Sequence, residues 1–192
     1  NHVAFSVPNV RAMVDRLRSR AYRIVTAEEA MPGVVVKDDI GQSGEGIAYV
    51  LGPDDVKVEF VQVSAQTMPI AYSHTHFFAP DREAMRAWYV KIFGAAPRPG
   101  PNPTFVVAAL PGGILNFTTA PGPVEGTKGR ALDHVGFEVK NLEEFCKRLE
   151  AQGIKLDTPY RFVERLKLGV AALTDPWGTY IELNEGLPNF AP

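Results

Sequence analysis

The side chains best suited to chemistry in this sequence are histidines and carboxylates that recur at similar places. A histidine stands near the start of three short apolar segments, as His2, His74 and His134. Carboxylates lie in later apolar segments, as Glu59 and Glu182. Imidazole and carboxylate groups transfer protons and bind divalent metals. Chemistry of this kind requires a fold that brings the groups together.

Three segments of the chain follow one plan, which would position these groups. Each begins with a short alternating strand, passes through Asn9, Asp81 or Asn141 as the residue that starts a helix, and continues into an amphipathic helix. β-rich sequence with Gly/Pro turns follows, and a last strand ends the segment. The sequence therefore predicts an α+β fold of tandem βαβββ modules. The apolar positions of the three helices are Val10, Met13, Val14 and Leu17; Met85, Trp88, Tyr89 and Ile92; and Leu142, Phe145, Cys146 and Leu149.

Alternation along the strands separates the polar groups from the core. Because side chains alternate across a strand, Val135 and Phe137 share the face under the helix, whereas His134 lies on the other face. In the last strand Ile181 packs inward and Glu182 does not. A polar residue that recurs on the face away from the helices predicts a lined cavity. The other residues expected on this face are His2, Glu59, His74, His76 and Tyr180.

Composition excludes some partners. The net charge of -2 gives no electrostatic reason to expect nucleic acid or an anionic membrane, and no apolar run approaches the roughly 20 residues that span a bilayer. The single cysteine, Cys146, leaves no internal disulfide and fits a reducing compartment, so we expect a cytoplasmic location. Because Asn1 already has the pattern of a strand, we also expect sequence upstream of it.

The strand motifs resemble those of the vicinal oxygen chelate superfamily, which includes glyoxalases, bleomycin- and fosfomycin-resistance proteins and extradiol dioxygenases. The resemblance rests on His-Val-x-Phe at a first strand, the amphipathic helix after it, and Asp-Pro-Trp-Gly-x-x-x-Glu at a last strand. It covers nearly the whole chain and is clearest over residues 130–186. In that superfamily two modules form one cup-shaped half-open barrel, with metal ligands on the first and last strands. The resemblance is specific for fold and weak for reaction.

Carried over by position, the resemblance implies a divalent metal site made of His74, His134 and Glu182, with Asn116 at the remaining ligand point. Two imidazoles and one carboxylate suit Fe(II), Mn(II), Zn(II), Ni(II) or Co(II). They leave coordination positions open for a small substrate with two vicinal oxygens. The expected function is therefore that of a metal-dependent enzyme acting on a small molecule.

Two further residues are predicted to act in catalysis, and the reaction subtype stays open. His76 is an acid/base candidate, and the hydroxyl of Tyr180 would orient a substrate. Glyoxalase-type isomerases resemble a site with two glutamates flanking the metal, and here Asn116 takes one of those positions. Extradiol dioxygenases carry a tyrosine three residues before the Asp-Pro turn, where this chain has Ala172. Lyase, isomerase and dioxygenase chemistry all remain in view.

The three modules have different expected neighbours. Their expected bounds are 1–63, 72–119 and 132–187, with linkers near 64–71 and 120–131. Each module is too small to bury its sheet face alone, so pairing is expected. An odd number of modules leaves one of them without a partner.

We expect modules two and three to pair as one domain over 72–187. Module one, residues 1–63, would then be completed by upstream sequence or by another chain. Its His2 and Glu59 would form half of a second site. The alternative is that modules one and two pair, which would join His2, Glu59 and His74.

Two other functions fit the same fold. A non-catalytic binder, like the bleomycin-resistance proteins, would sequester a small molecule between modules. Such proteins usually lack the metal residues, which weighs against this alternative. A structural or regulatory module kept for oligomerisation is suggested by the odd number of modules, and it leaves a homo-oligomer open.

Overall fold

The protein has a mixed α+β fold, as predicted. The computed structural model describes residues 1–100 and 103–187. The chain divides into two compact units, Asn1–Gly122 and Pro123–Pro192. Within the described residues, no helix has the length and apolar character that a bilayer crossing requires.

The first unit contains modules one and two. Module one consists of β1 (His2–Val7), α1 (Val10–Arg18), β2 (Arg23–Ile24), α2 (Thr26–Glu29), β3 (Val36–Lys37), β4 (Ile40–Gly41), β5 (Ile47–Leu51), a 3-10 helix (Pro53–Asp55) and β6 (Lys57–Gln62). Module two consists of β7 (Ala71–Ala79), α3 (Arg82–Phe93), β8 (Ala96–Pro99), β9 (Val106–Leu110) and β10 (Gly113–Thr119).

The second unit contains module three and has a sheet of its own. The strand order is β11-β14-β13-β12. Its elements are β11 (His134–Glu138), α4 (Leu142–Ala151), β12 (Leu156–Val163), β13 (Leu168–Thr174) and β14 (Tyr180–Glu185).

The strand pairing repeats from module to module. In each one the first strand lies parallel to the last, as β1 with β6, β7 with β10, and β11 with β14. Parallel neighbours require a crossover connection, and in each module that connection contains an amphipathic helix. Modules one and two then join through their first strands, because β1 and β7 pair antiparallel. The resulting sheet has the order β3-β4-β5-β6-β1-β7-β10-β9-β8, with β2 on β5.

The helix stripes pack on one face of each sheet, as the alternation predicts. Val10 and Val14 of α1 are fully buried and pack with Val7 and Phe60, which lie on β1 and β6. In module two, Phe77 and Phe117 stack at 5.4 Å beneath Tyr89 of α3. In module three the whole predicted stripe of α4 is buried, including Cys146. Burial of this apolar surface provides the main driving force for the fold.

The module pairing in the structure differs from the pairing expected from the sequence. The expected domain over 72–187 joins module two to module three, whereas in the structure module two shares a sheet with module one. The expected linkers do fall between strands, since β6 ends at Gln62 and β7 begins at Ala71, and β10 ends at Thr119. Modules one and two are joined because β1 and β7 pair directly along their edges.

The helix N-termini are satisfied in two different ways. Asn9 and Asp81 accept hydrogen bonds from the backbone N–H groups of the third residue after each, at 2.9 Å in both cases. Asn141 has no such bond and takes a left-handed conformation with φ of 53°. There the carboxylate of Glu185 accepts from the N–H groups of Asn141 and Leu142 instead, at 2.7 and 3.1 Å. The capping prediction is therefore confirmed for α1 and α3 and wrong for α4.

This difference predicts unequal effects of two substitutions. Asp81→Ala removes the only side-chain acceptor seen at the start of α3, and we expect the free energy of unfolding to fall by about 1 kcal/mol. Asn141→Gly keeps the left-handed conformation, which glycine adopts readily, and we expect little change. Urea denaturation of both variants against the parent protein measures the difference. Equal losses in the two variants would contradict the assignment.

Candidate metal centre

The strand register of the first unit brings polar side chains from both modules onto one face. Ala4 of β1 lies opposite Glu59 on one side and opposite His74 on the other. His2, two residues earlier, lies opposite His76. Because cross-strand partners point to the same side of a sheet, all of these side chains lie on the face away from α1 and α3. We call this face the polar face.

Three of these side chains meet at a single oxygen atom. Nε2 of His2 lies 2.9 Å from Oε2 of Glu59, and Nε2 of His74 lies 3.0 Å from the same oxygen. All three residues are buried, and the Glu59 side chain is only 8% exposed. A buried carboxylate needs partners to offset its desolvation, and two imidazoles from two modules provide them here.

The geometry and chemistry of this group fit a divalent cation. Such metals bind imidazole nitrogen and carboxylate oxygen at roughly 2.0–2.2 Å, so two adjacent ligands at right angles lie about 3 Å apart. The two N···O separations of 2.9 and 3.0 Å match this spacing. Nδ1 of His2 also faces an oxygen, Oδ1 of Asn1 at 3.1 Å. A neutral imidazole has one N–H group and can donate to only one of these two oxygens. A cation between Nε2 and Glu59 would leave the proton on Nδ1 for Asn1, so that both ring nitrogens would have a favourable contact.

His76 lies beside this group and extends it. The ligand atoms of His2, His74 and His76 all lie within 4.8 Å of one another. The His76 ring lies 4.7 Å from that of His2, centroid to centroid, and Nε2 of His76 lies 2.9 Å from Oγ1 of Thr118. Phe105 contacts the ring from outside, with centroids 5.4 Å apart. The polar face therefore holds three imidazoles next to one carboxylate.

Electrostatics keep the carboxylate ionised. Burial acts to raise the pKa of Glu59, but hydrogen bonds from His2 and His74 and the charges of these two residues outweigh burial and lower the pKa to about 2. Burial lowers the pKa of His2, more than its hydrogen bond to Glu59 raises it. At neutral pH the group thus offers an anionic oxygen and a neutral imidazole, the forms that bind metals.

Two neighbours are held in their neutral forms. Burial, followed by the charges of His2 and His74, lowers the pKa of His76 to about 2. Burial, followed by the charge and hydrogen bonding of Glu59, raises the pKa of Tyr49 well above its ordinary value. The ring of Tyr49 lies edge-on to that of His2, with centroids 5.4 Å apart. Tyr49 therefore keeps its proton beside the carboxylate.

The remaining predicted site residues are divided between the two units. Asn116 is opposite His76 on β10, at the edge of the same polar face. His134, Tyr180 and Glu182 belong to the second unit, where His134 lies opposite Tyr180 with ring centroids 6.3 Å apart. His134 is 43% exposed and pairs with Asp133 at 2.8 Å.

The structure therefore brings together the residues of the alternative set, His2, Glu59 and His74. His74 meets His2 and Glu59 within the first unit, while His134 and Glu182 lie in the second. Tyr49 and Thr118 were not identified from the sequence. Tyr49 lies directly opposite Glu59 on β5, so strand pairing could have indicated it.

Comparison with known proteins identifies the fold family. Lactoylglutathione lyase of Schizosaccharomyces pombe is 25% identical over 213 residues, which cover 96% of this chain and 66% of that protein. Glyoxalase I of Zea mays superposes with a TM-score of 0.70 at 19% identity, covering 99% of this chain and 68% of that one. A glyoxalase I mutant from Zea mays gives a TM-score of 0.70 at 18% identity, with coverage of 99% and 69%. At this identity the structural likeness establishes the fold alone.

The family assignment rests on the sequence model that matches residues 71–183, more than half of the chain. This match runs through modules two and three, whereas the sheet joins modules one and two. The family model thus covers a different pair of modules from the pair that shares a sheet. Each pair consists of βαβββ modules. The chain belongs to the Glyoxalase/Bleomycin resistance protein/Dioxygenase superfamily.

Proposed function

We propose that the chain is a metal-dependent enzyme of the glyoxalase type. Its site is the group formed by His2, Glu59 and His74 on the polar face of the first unit. It acts on a small substrate through two vicinal oxygens, and its reaction is of the lyase or isomerase class. The observation that carries the proposal is the meeting of two imidazoles on one carboxylate oxygen, at 2.9 and 3.0 Å.

The relatives support the same class of reaction. The S. pombe relative is a lactoylglutathione lyase, and the Zea mays neighbours are glyoxalase I proteins. The chain spans about two thirds of the length of each, 66% and 68% respectively. The activity and substrate of those proteins thus enter here as part of the proposal.

The side chains of this site have distinct tasks. Glu59 supplies the negative charge, and the two imidazoles supply nitrogen ligands. A bound divalent metal would serve as a Lewis acid for the two substrate oxygens. Asn1 holds His2 in position by a hydrogen bond, and Tyr49 lies opposite Glu59 on the neighbouring strand. The surrounding burial keeps water from competing with these contacts.

Metal analysis combined with a substrate screen tests the proposal. We expect purified protein incubated with Zn²⁺, Mn²⁺, Fe²⁺, Ni²⁺ or Co²⁺ to retain metal after desalting. We also expect turnover of lactoylglutathione or a related thiol adduct, with catechols and α-keto acids as the other substrate classes in the screen. His2→Ala should abolish both metal retention and turnover. His134→Ala, the same change in the second unit, is the matched control and should retain them.

The non-catalytic binder makes a different prediction. If the chain only sequesters a ligand, His2→Ala should leave ligand affinity unchanged, and no bound metal should be found. Calorimetric titration of the same thiol adducts into the parent protein and into His2→Ala separates the two functions. Metal-independent binding without turnover would favour the binder and contradict the proposed enzyme.

A further inference from the structure

We propose that His76 is a fourth protein ligand, so that the site in the first unit contains three imidazoles and one carboxylate. This inference rests on the proposed metal site at His2, Glu59 and His74. It replaces the acid/base role expected for His76 from the sequence. The juxtaposition that carries it is the placement of three histidine ligand atoms within 4.8 Å of one another.

The first argument is distance. Two ligands of an octahedral metal lie about 3 Å apart when adjacent and about 4.2 Å apart when opposite, for bonds of about 2.1 Å. A set of nitrogens within 4.8 Å of one another reaches these values with small side-chain rotations. The ring of His76 lies closest to that of His2, at 4.7 Å between centroids, and lies 6.2 Å from that of His74. His76 therefore approaches the site on the side of His2.

The second argument is the hydrogen bonding of the His76 ring. Nε2 is 2.9 Å from Oγ1 of Thr118, a buried hydroxyl on β10. Nδ1 makes no hydrogen bond to another described residue and is not among the fully buried polar atoms, so it is open to water or to a cation. When Nε2 carries the ring proton and donates it to Thr118, the lone pair of Nδ1 is left for a cation. A hydrogen bond that fixes the tautomer in this way is the usual support of a metal-binding histidine.

The third argument is the residue that the site lacks. Glu59 occupies the last strand of module one, and in module two the corresponding strand carries Asn116. An amide oxygen is a weaker ligand than a carboxylate for transition metals. Asn116 lies directly opposite His76 in the register of β7 and β10. The imidazole of His76 thus lies beside Asn116, where module two has no carboxylate equivalent to Glu59. It supplies a stronger metal ligand than the amide oxygen of Asn116.

Three imidazoles and one carboxylate would leave two of six coordination positions for the substrate. Two positions suffice for a substrate that binds through two vicinal oxygens. His76 would thereby set how many substrate atoms the site accepts. Phe105, 5.4 Å from the His76 ring, would border these positions with an apolar surface.

Metal affinity and a count of coordinated imidazoles test this assignment on the metal-free, full-length chain. Co²⁺ affinity is measured by competition with a chromophoric chelator, and pulsed EPR of the Cu²⁺-loaded protein counts the imidazoles. His76→Gln, which preserves side-chain volume, should weaken Co²⁺ binding by at least about 100-fold, more than the loss of an outer-shell partner. The imidazole count should fall from three to two. His76→Asp, which restores a ligand, should recover most of the affinity.

Three further variants interpret the result. His134→Ala removes an imidazole of the second unit, and it should bind Co²⁺ as the parent does. One outcome is that His76→Gln keeps its Co²⁺ affinity and imidazole count while His2→Ala and Glu59→Gln lose binding. This outcome would overturn the role of His76 and leave the proposed metal site unchanged. Unchanged binding in His76→Gln, His2→Ala and Glu59→Gln would instead overturn the proposed metal site, and the role of His76 with it.

Discussion

Glu59→Ala is expected to abolish binding of divalent metals at the site in the first unit, with a loss of affinity of at least about 1000-fold. The substitution removes the carboxylate that contacts His2 and His74, and the negative charge of this carboxylate would balance that of the cation. It also removes the hydrogen-bond acceptor of Nε2 in His2 and in His74, and both of these imidazoles are buried. Each orphaned polar group costs roughly 1–3 kcal/mol of stability. Calorimetric titration of Zn²⁺ and urea denaturation of the metal-free protein measure the two effects.

Glu59→Gln separates charge from hydrogen bonding in the same place. The amide keeps the volume and can accept from one imidazole, so we expect most of the stability to return while metal binding stays lost. Glu182→Gln is the matched control, because Glu182 is the carboxylate expected as a ligand from the sequence. Retained metal affinity in Glu182→Gln supports the group in the first unit. Loss of affinity there, with Glu59→Gln intact, would favour the set of His74, His134 and Glu182.

The repeated modules could be predicted because local physics determines them. Apolar spacing along α1, α3 and α4 and alternation along the strands depend only on neighbouring residues. These two patterns predict which face of a helix or strand each side chain takes. The polar face of the first unit agrees with the alternation, since His2 and His76 lie opposite each other and away from the apolar core. The types of ligand are thereby accessible from the sequence.

The choice of partner module could not be predicted in the same way. The first strands β1, β7 and β11 have similar patterns, so each offers a similar edge for pairing. The antiparallel pairing of β1 with β7 depends on a bulge between Ala4 and Phe5 and on the packing of whole modules. Local patterns do not encode such non-local choices. The expected set thus takes His134 and Glu182 from the second unit, whereas the group around Glu59 lies in the first, and both contain His74.

The sequence also did not indicate the side chains that contact residues far away in the chain. Glu185 caps α4 from the end of β14, which no local motif at Asn141 indicates. Tyr49 and Thr118 reach the site from strands whose position depends on the complete sheet. Val25 and Val34 pack in one apolar cluster with Tyr49, far from it in the chain. Such contacts depend on tertiary packing, and they determine how strongly the site is desolvated.

Acidification below about pH 6.5 is expected to destabilise the metal-free first unit. The pKa of His76 is lowered to about 2 in the folded protein, whereas an unfolded histidine titrates near its ordinary value of about 6.5. Between these values the unfolded chain binds the extra proton, so stability is complete above about pH 6.5 and falls as the pH decreases. His76 alone would remove about 2 kcal/mol between pH 7 and pH 5. The lowered pKa of Glu59, about 2, adds a loss of the same sign below about pH 4.5.

Tryptophan fluorescence measures this effect in the first unit alone. Trp88 lies in α3 of the first unit and Trp177 in the second, so a Trp177→Phe background leaves Trp88 as the reporter. In urea denaturation at pH 7 and pH 5, His76→Leu should lose much of the pH dependence, because a leucine has no proton to bind. His134→Ala, which removes a partly exposed imidazole from the other unit, should keep it. Proton binding by buried imidazoles also opposes metal binding. An equal pH dependence of stability in His76→Leu and in the parent protein would show that His76 is solvated. That result would contradict a desolvated metal centre at this face.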